Sequence, residues 1–141
     1  MSDAPTASKP YLPHASLVMR GKELDPEMIN ERLGVRAHRS FKRGDKRQRG
    51  HGEWPHGFWI LESSGQVNSV DLVDHIRWLL EEIKPFQESL VRLLADGAID
   101  VKISCFWILP SSNDLFILEP ELLAQIALLN IKFELDIYSP N

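Results

Sequence analysis

Ala15–Gly34 reads ASLVMRGKELDPEMINERLG, and within this stretch the hydrophobic period changes from that of a strand to that of a helix. Ala15, Leu17 and Met19 alternate with Ser16, Val18 and Arg20, the spacing of a strand with one buried face. Beyond Gly21 the pattern turns helical. Asp25 offers an oxygen to the free N–H groups of a first turn, Pro26 stands where its missing N–H costs nothing, and Glu27 suits the positive end of the helix dipole. Met28, Ile29 and Leu33 form the expected apolar stripe, and Gly34 can take the left-handed conformation that ends it. The same opening returns late in the chain. Leu24-Asp25-Pro26-Glu27-Met28-Ile29 is echoed by Leu118-Glu119-Pro120-Glu121-Leu122-Leu123, again between a strand and a helix, with Asn130 where Gly34 stood. Two strand–helix–strand halves of this kind predict an α+β fold: a two-layer sandwich with an antiparallel or mixed sheet, helices packed mainly on one face, in a pseudo-duplicated, ferredoxin-like arrangement. The competing reading of the echo is that Asp/Glu-Pro-Glu is simply a common way to open a helix.

The intervening chain supplies the remaining elements. Asn68–Asp96 predicts the main helical region, capped by Asn68, with Leu72, Ile76, Leu79, Leu80 and Ile83 at helical spacing. Pro85 removes a donor and crowds the preceding turn, so a kink or a new helix is expected there, carrying Phe86, Leu90, Leu93 and Leu94 up to Gly97. Val101–Leu109 is apolar on both faces towards its end and predicts the central strand. Pro110–Asp114 then reads as a turn into Leu115–Leu118 as the second arm of a hairpin. Lys132–Tyr138 alternates Phe133, Leu135 and Ile137 with Lys132, Glu134 and Asp136, a strand with one wet face.

Composition narrows the function. A chain of 141 residues suits one domain, expected over residues 14–141, behind a disordered tail at 1–13 that holds Pro5, Pro10 and Pro13 among small polar residues. The longest apolar run, Cys105–Leu109, is too short to span a bilayer, and the N-terminus lacks the pattern of a signal peptide, so a cytoplasmic protein is expected. Cys105 is the one cysteine, which leaves no internal disulfide and no multi-cysteine metal site.

Charge is unevenly spread. Of the 16 Lys and Arg, seven lie in Arg36–Arg49: Arg36, Arg39, Lys42, Arg43, Lys46, Arg47 and Arg49, opposed there by Asp45 alone. The rest of the chain is acidic, and the whole carries −4. A general nucleic-acid binder would be basic throughout. The segment continues through His51-Gly52-Glu53-Trp54-Pro55-His56 into the apolar strand Phe58–Glu62. Its glycines predict a loop over Gly44–Gly52, long for a compact domain.

The order of Ser16–Met19, Asp25-Pro26-Glu27, Phe41-Lys42-Arg43-Gly44-Asp45, Gly57-Phe58-Trp59-Ile60-Leu61, the helical middle and Leu135–Tyr138 resembles the bacterial domain-of-unknown-function family 4279 over roughly Ala15–Tyr138. The resemblance implies a small bacterial α+β protein and brings no catalytic residues with it. Families of this kind often include immunity or partner-binding proteins, an association rather than a deduction.

Candidate chemistry is correspondingly narrow. The seven cations can pair with carboxylates or phosphates, and Trp54, Phe58 and Trp59 lie close in sequence. Docking of an acidic protein partner, as by an immunity-type inhibitor, is the expectation. Binding of single-stranded RNA or a nucleotide, with stacking on Trp54 or Trp59, is the alternative, and a solvated loop guarding an edge strand is the plain one. His51, Glu53 and His56 are metal-ligand types, but Gly52, Pro55 and Gly57 forbid the helix of a zinc protease. Glu81 and Glu82 point in different directions on a helix, and no nucleophile elbow or phosphate-binding glycine loop is present. No cofactor, metal or catalytic residue is therefore expected, and a hydrolase is the least favoured class.

Overall fold

The computed structural model describes residues 11–140. Five strands, β1 (His14–Gly21), β2 (Arg39–Phe41), β3 (Gly57–Glu62), β4 (Asp100–Ile108) and β5 (Lys132–Tyr138), form one sheet in the order β2-β3-β1-β4-β5. Four α-helices accompany them: α1 (Pro26–Leu33), α2 (Leu72–Ile83), α3 (Gln87–Leu94) and α4 (Pro120–Leu129), with a single 3-10 turn at Lys84–Phe86 between α2 and α3. The fold is α+β with an open, mixed sheet. The expected disordered tail lies almost wholly outside the described residues.

The ferredoxin-like interleaving is present, but its halves differ from those the sequence echo marks. β1-α1-β2 straddles β3, while β3-α2-α3-β4 straddles β1, and neighbouring strands are antiparallel throughout this four-stranded part. α4 and β5 are an addition: β5 joins the edge of β4 in parallel, from Lys102 opposite Lys132 to Ile108 opposite Tyr138. That pairing overturns the expected hairpin at Leu115–Leu118. A parallel neighbour needs a long crossover, which the segment after β4 together with α4 provides. β5 then fills the edge of β4 that a hairpin arm would have used, and Leu115 and Ile117 are left exposed. β4 is accordingly one strand off centre, and β1 occupies the middle.

Strand register places one apolar row on the helical side. Ala15, Leu17 and Met19 of β1, Trp59 and Leu61 of β3, and Val101, Ile103, Cys105 and Trp107 of β4 share a face and meet Ile29, Leu33, Ile76, Leu79, Ile83, Leu90, Leu122 and Ile126 from the helices. The other face is wet and laced with ion pairs: Arg39 to Glu62 at 2.8 Å, Lys102 to Glu134 at 3.1 Å and Lys132 to Asp100 at 3.1 Å. The hydroxyl of Ser104, and after it Lys102, hold the Glu134 carboxyl below the ordinary carboxylate range.

Local signals mark α1 and α4 closely. Asp25 accepts from the Glu27 N–H at 3.1 Å, and Gly34 (φ 73°) and Asn130 (φ 54°) end their helices in the left-handed region. Two readings shift. Met28 is exposed, and Pro26 joins Ile29 and Leu33 on the buried side of α1. The cap of α2 is Asp71, which accepts from the Val73 N–H at 3.0 Å, three residues later than Asn68.

Cys105 is fully buried, and burial pushes its thiol up from 9.0 to about 12. The thiol is therefore neutral in the native state throughout ordinary alkaline buffer. An acid whose folded value is raised contributes stability below its unfolded value and loses it as pH climbs towards the folded one. Native protein at pH 8 is expected to resist iodoacetamide and to label once unfolded in urea. Rapid labelling without urea would show that the strand opens locally.

Candidate functional site

Six of the seven cations ride on the β2–β3 hairpin, and Arg36 lies in the segment that leads from α1 into β2. β2 is a short edge strand, antiparallel to β3 from Arg39 opposite Ile60 to Phe41 opposite Phe58. The connection is the loop that the glycines predict, but its two arms are tied together. Trp54 donates its N–H to the Asp45 carbonyl at 2.8 Å, Gly44 donates to the Trp54 carbonyl at 2.9 Å, and Arg47 donates to the Gly52 carbonyl at 3.2 Å. Lys46 and Glu53 form a bridge between the two arms. The hairpin thus continues past β2 as a narrow ladder, and its tip turns through Gly50 and Gly52 at φ 83° and 90°, where a side chain would be strained.

Aromatic packing stiffens this ladder. Phe41 stacks on Trp54 with centroids 4.2 Å apart, Phe58 meets Trp54 edge-on at 5.4 Å, and the Arg47 guanidinium lies 4.8 Å from the centre of the Trp54 ring. Trp54 is already engaged by three neighbours, and Trp59 is wholly buried in the core. Stacking of a base on Trp59 is excluded by that burial. Stacking on Trp54 would have to compete with Phe41 and Arg47.

The cations separate into two groups. Arg36 pairs with Glu27 at 3.6 Å, Arg39 with Glu62 at 2.8 Å, Lys42 with Asp25 at 3.9 Å and Arg43 with Glu23 at 2.8 Å. Glu23, Asp25 and Glu27 come from the turn and first residues of α1, which the sequence separates from the hairpin. Lys22, Glu23, Leu24, Asp25, Lys42 and Arg43 line a shallow hollow of about 240 Å³ at the hairpin base, where both signs alternate. Lys46, Arg47 and Arg49, towards the tip, make no ion pair among the described residues. The sequence block of seven is therefore a tip of three above a base that the acidic body answers. Exposed pairs are worth little, so the four paired cations remain open to exchange.

The other candidate ligands do not converge. His51 and Glu53 are exposed and His56 is partly buried, and no group of three metal-ligating side chains comes together among the described residues. His75, on α2, is wholly inside. Its Nε2–H donates to the Ser69 carbonyl at 2.8 Å and its Nδ1 accepts from the Ser63 hydroxyl at 2.7 Å, while Ser63 Oγ accepts from the Ala15 N–H at 2.9 Å. Despite its resemblance to a nucleophile–base pair, this chain has every group satisfied and no solvent access. It pins the end of β3 and the start of β1 to α2.

A family model for a domain of unknown function, DUF4279, matches residues 10–140. The chain belongs to the DUF4279 family. The match takes in the whole sheet, the hairpin and all four helices, so the basic ladder of this DUF4279 domain lies within the family region. No curated protein and no solved structure matches it. No helix among the described residues of the DUF4279 domain is long and apolar enough to cross a membrane.

Proposed function

We propose that this domain is a non-catalytic binding module of the cytoplasm, which docks an acidic protein surface on the tip of the β2–β3 hairpin in the manner of an immunity-type inhibitor. The observation that carries the reading is the contrast along the hairpin. Arg36, Arg39, Lys42 and Arg43 have carboxylates of their own chain, whereas Lys46, Arg47 and Arg49 have none among the described residues and stand on a ladder stiffened by Phe41, Trp54 and Phe58. A pre-stiffened cationic tip loses little entropy on docking, and its field speeds encounter with an acidic surface. The acidic remainder of the domain repels a polyanion and leaves a folded partner with localised charge favoured over nucleic acid.

The test is the triple variant Lys46→Ser, Arg47→Ser, Arg49→Ser, used as bait beside the natural chain. Zero-length carbodiimide coupling should join the Lys46 amine to a carboxylate of a captured protein. Capture should fall by about tenfold at low salt in the variant and by less at high salt, with the melting temperature nearly unchanged. Equal capture by both chains would remove the proposal. Nuclease-sensitive capture would replace it with RNA binding.

A further inference from the structure

The opposite end of the sheet carries a cleft that no part of the basic hairpin reaches. Gly21 of β1 pairs with Gly57 at the hairpin end, so the N-terminal end of β1, about 24 Å away along the strand, belongs to a different surface. There the segment before β1, the end of β4 with the chain that follows it, the residues that open α2 and the chain after β5 line an open cleft of about 750 Å³. Its volume falls in the range of small-molecule sites, and its wall is mainly apolar and aromatic. Trp107 and Phe116 meet there at 5.9 Å, with Tyr11 and Leu72 beside them.

Charge decides what would enter. Among the described residues the only charged ones in the wall are Asp71 and Asp114, and none of those that line it is Lys, Arg or His. One oxygen of each carboxylate is used locally: Asp71 Oδ1 accepts from the Val73 N–H at 3.0 Å and Asp114 Oδ1 from the Leu115 N–H at 2.7 Å. Neither carboxylate has an ion-pair partner among the described residues. The N-terminus of α2, whose dipole favours an anion, is capped by Asp71 itself. Aromatic faces present negative charge to a cation, as the two carboxylates do. We infer that this cleft binds a small organic cation with a flat apolar body, an arylalkyl ammonium, its ring against Phe116 and the small exposed part of the otherwise buried Trp107 and its ammonium between Asp71 and Asp114.

Three probes of one shape separate the contributions: 2-phenylethylammonium, neutral 2-phenylethanol and anionic 3-phenylpropionate. Each is titrated into the full chain and followed by the indole N–H resonance of Trp107, with that of Trp54 as a distant reference. The ammonium is expected to bind about tenfold more tightly than the alcohol, to move Trp107 and not Trp54, and the carboxylate to bind least. The double variant Asp71→Asn, Asp114→Asn keeps side chains able to cap and should retain the fold while erasing the preference for the ammonium. If the double variant does not fold, Asp114→Asn alone, in an exposed segment, should reduce the preference by about threefold. Equal binding of alcohol and ammonium, tighter binding of the carboxylate, an unchanged preference in the Asn variants, or no response to any probe at about 10 mM would each overturn the assignment.

Discussion

Replacing Trp59 with Ala should lower the unfolding free energy by about 3–5 kcal/mol, the range for removing a large aromatic from a packed core. Trp59 is entirely buried on the helical face of β3, opposite Met19, and its indole N–H donates to Asn30 Oδ1 at 2.8 Å. That same oxygen accepts from the Ala37 N–H at 3.0 Å. The Trp thus fills the space between β3 and α1 and fixes how the chain leaves α1 towards β2. Trp59→Phe retains most of the volume and should cost less, while Asn30→Ala strands two donors at about 1–3 kcal/mol. Because the two residues share a bond, the double variant Trp59→Ala, Asn30→Ala should cost less than the sum of the singles. Urea unfolding followed by circular dichroism measures all four. A loss below about 1 kcal/mol for Trp59→Ala would mean that the site collapses around the gap, contrary to the packing described.

The second large effect is expected at Gly57, where the hairpin enters the sheet. A Cβ built there collides with the carbonyl oxygen of Leu24 and approaches Leu24 Cβ to 3.0 Å. The obstacle is backbone, in the turn where Leu24 donates to the Gly21 carbonyl at 3.2 Å, so it cannot swing aside. Gly57→Ala should therefore destabilise by about 3 kcal/mol, at the upper end for overpacking, by prising the start of β3 from the β1–α1 turn. Gly50 is the control: nothing lies near its absent Cβ, but its φ is 83°. Gly50→Ala should cost about 1 kcal/mol from backbone strain alone. Amide exchange separates the two, since Gly57→Ala should expose the Gly21–Gly57 end of the ladder and Gly50→Ala only the tip. Similar exchange patterns in both variants would show that the clash is relieved by a local shift.

The elements whose signals are local were legible. Asp25-Pro26-Glu27 opens α1 and Gly34 closes it, and Pro85 starts a new helix, because capping and ring sterics act within one turn. Met28 was misplaced because a helix this short can present its stripe at several rotations, and only the position of β3 and α3 selects one. The hairpin arm at Leu115–Leu118 failed for a different reason: turn residues permit a reversal but do not say whether the neighbouring edge is free. At the candidate site the cationic block was plain in the sequence. Its division was not, because Glu23, Asp25 and Glu27 approach Arg43, Lys42 and Arg36 only when α1 packs beside the hairpin. The cleft at Trp107 had no local signature at all, since its walls come from four separate segments.

By itself the sequence determined the α+β class, the ends of most helices, the buried row of β1 and the concentration of positive charge, all of which depend on periodicity or on residues within a few positions of one another. Tertiary structure alone decided the strand order, the parallel addition of β5, the complete burial of His75, and which cations of the hairpin lack an ion-pair partner among the described residues. The physical reason is range: capping and alternation act across one turn or one pleat, whereas edge occupancy and charge pairing depend on segments far apart in the chain being brought within a few ångströms.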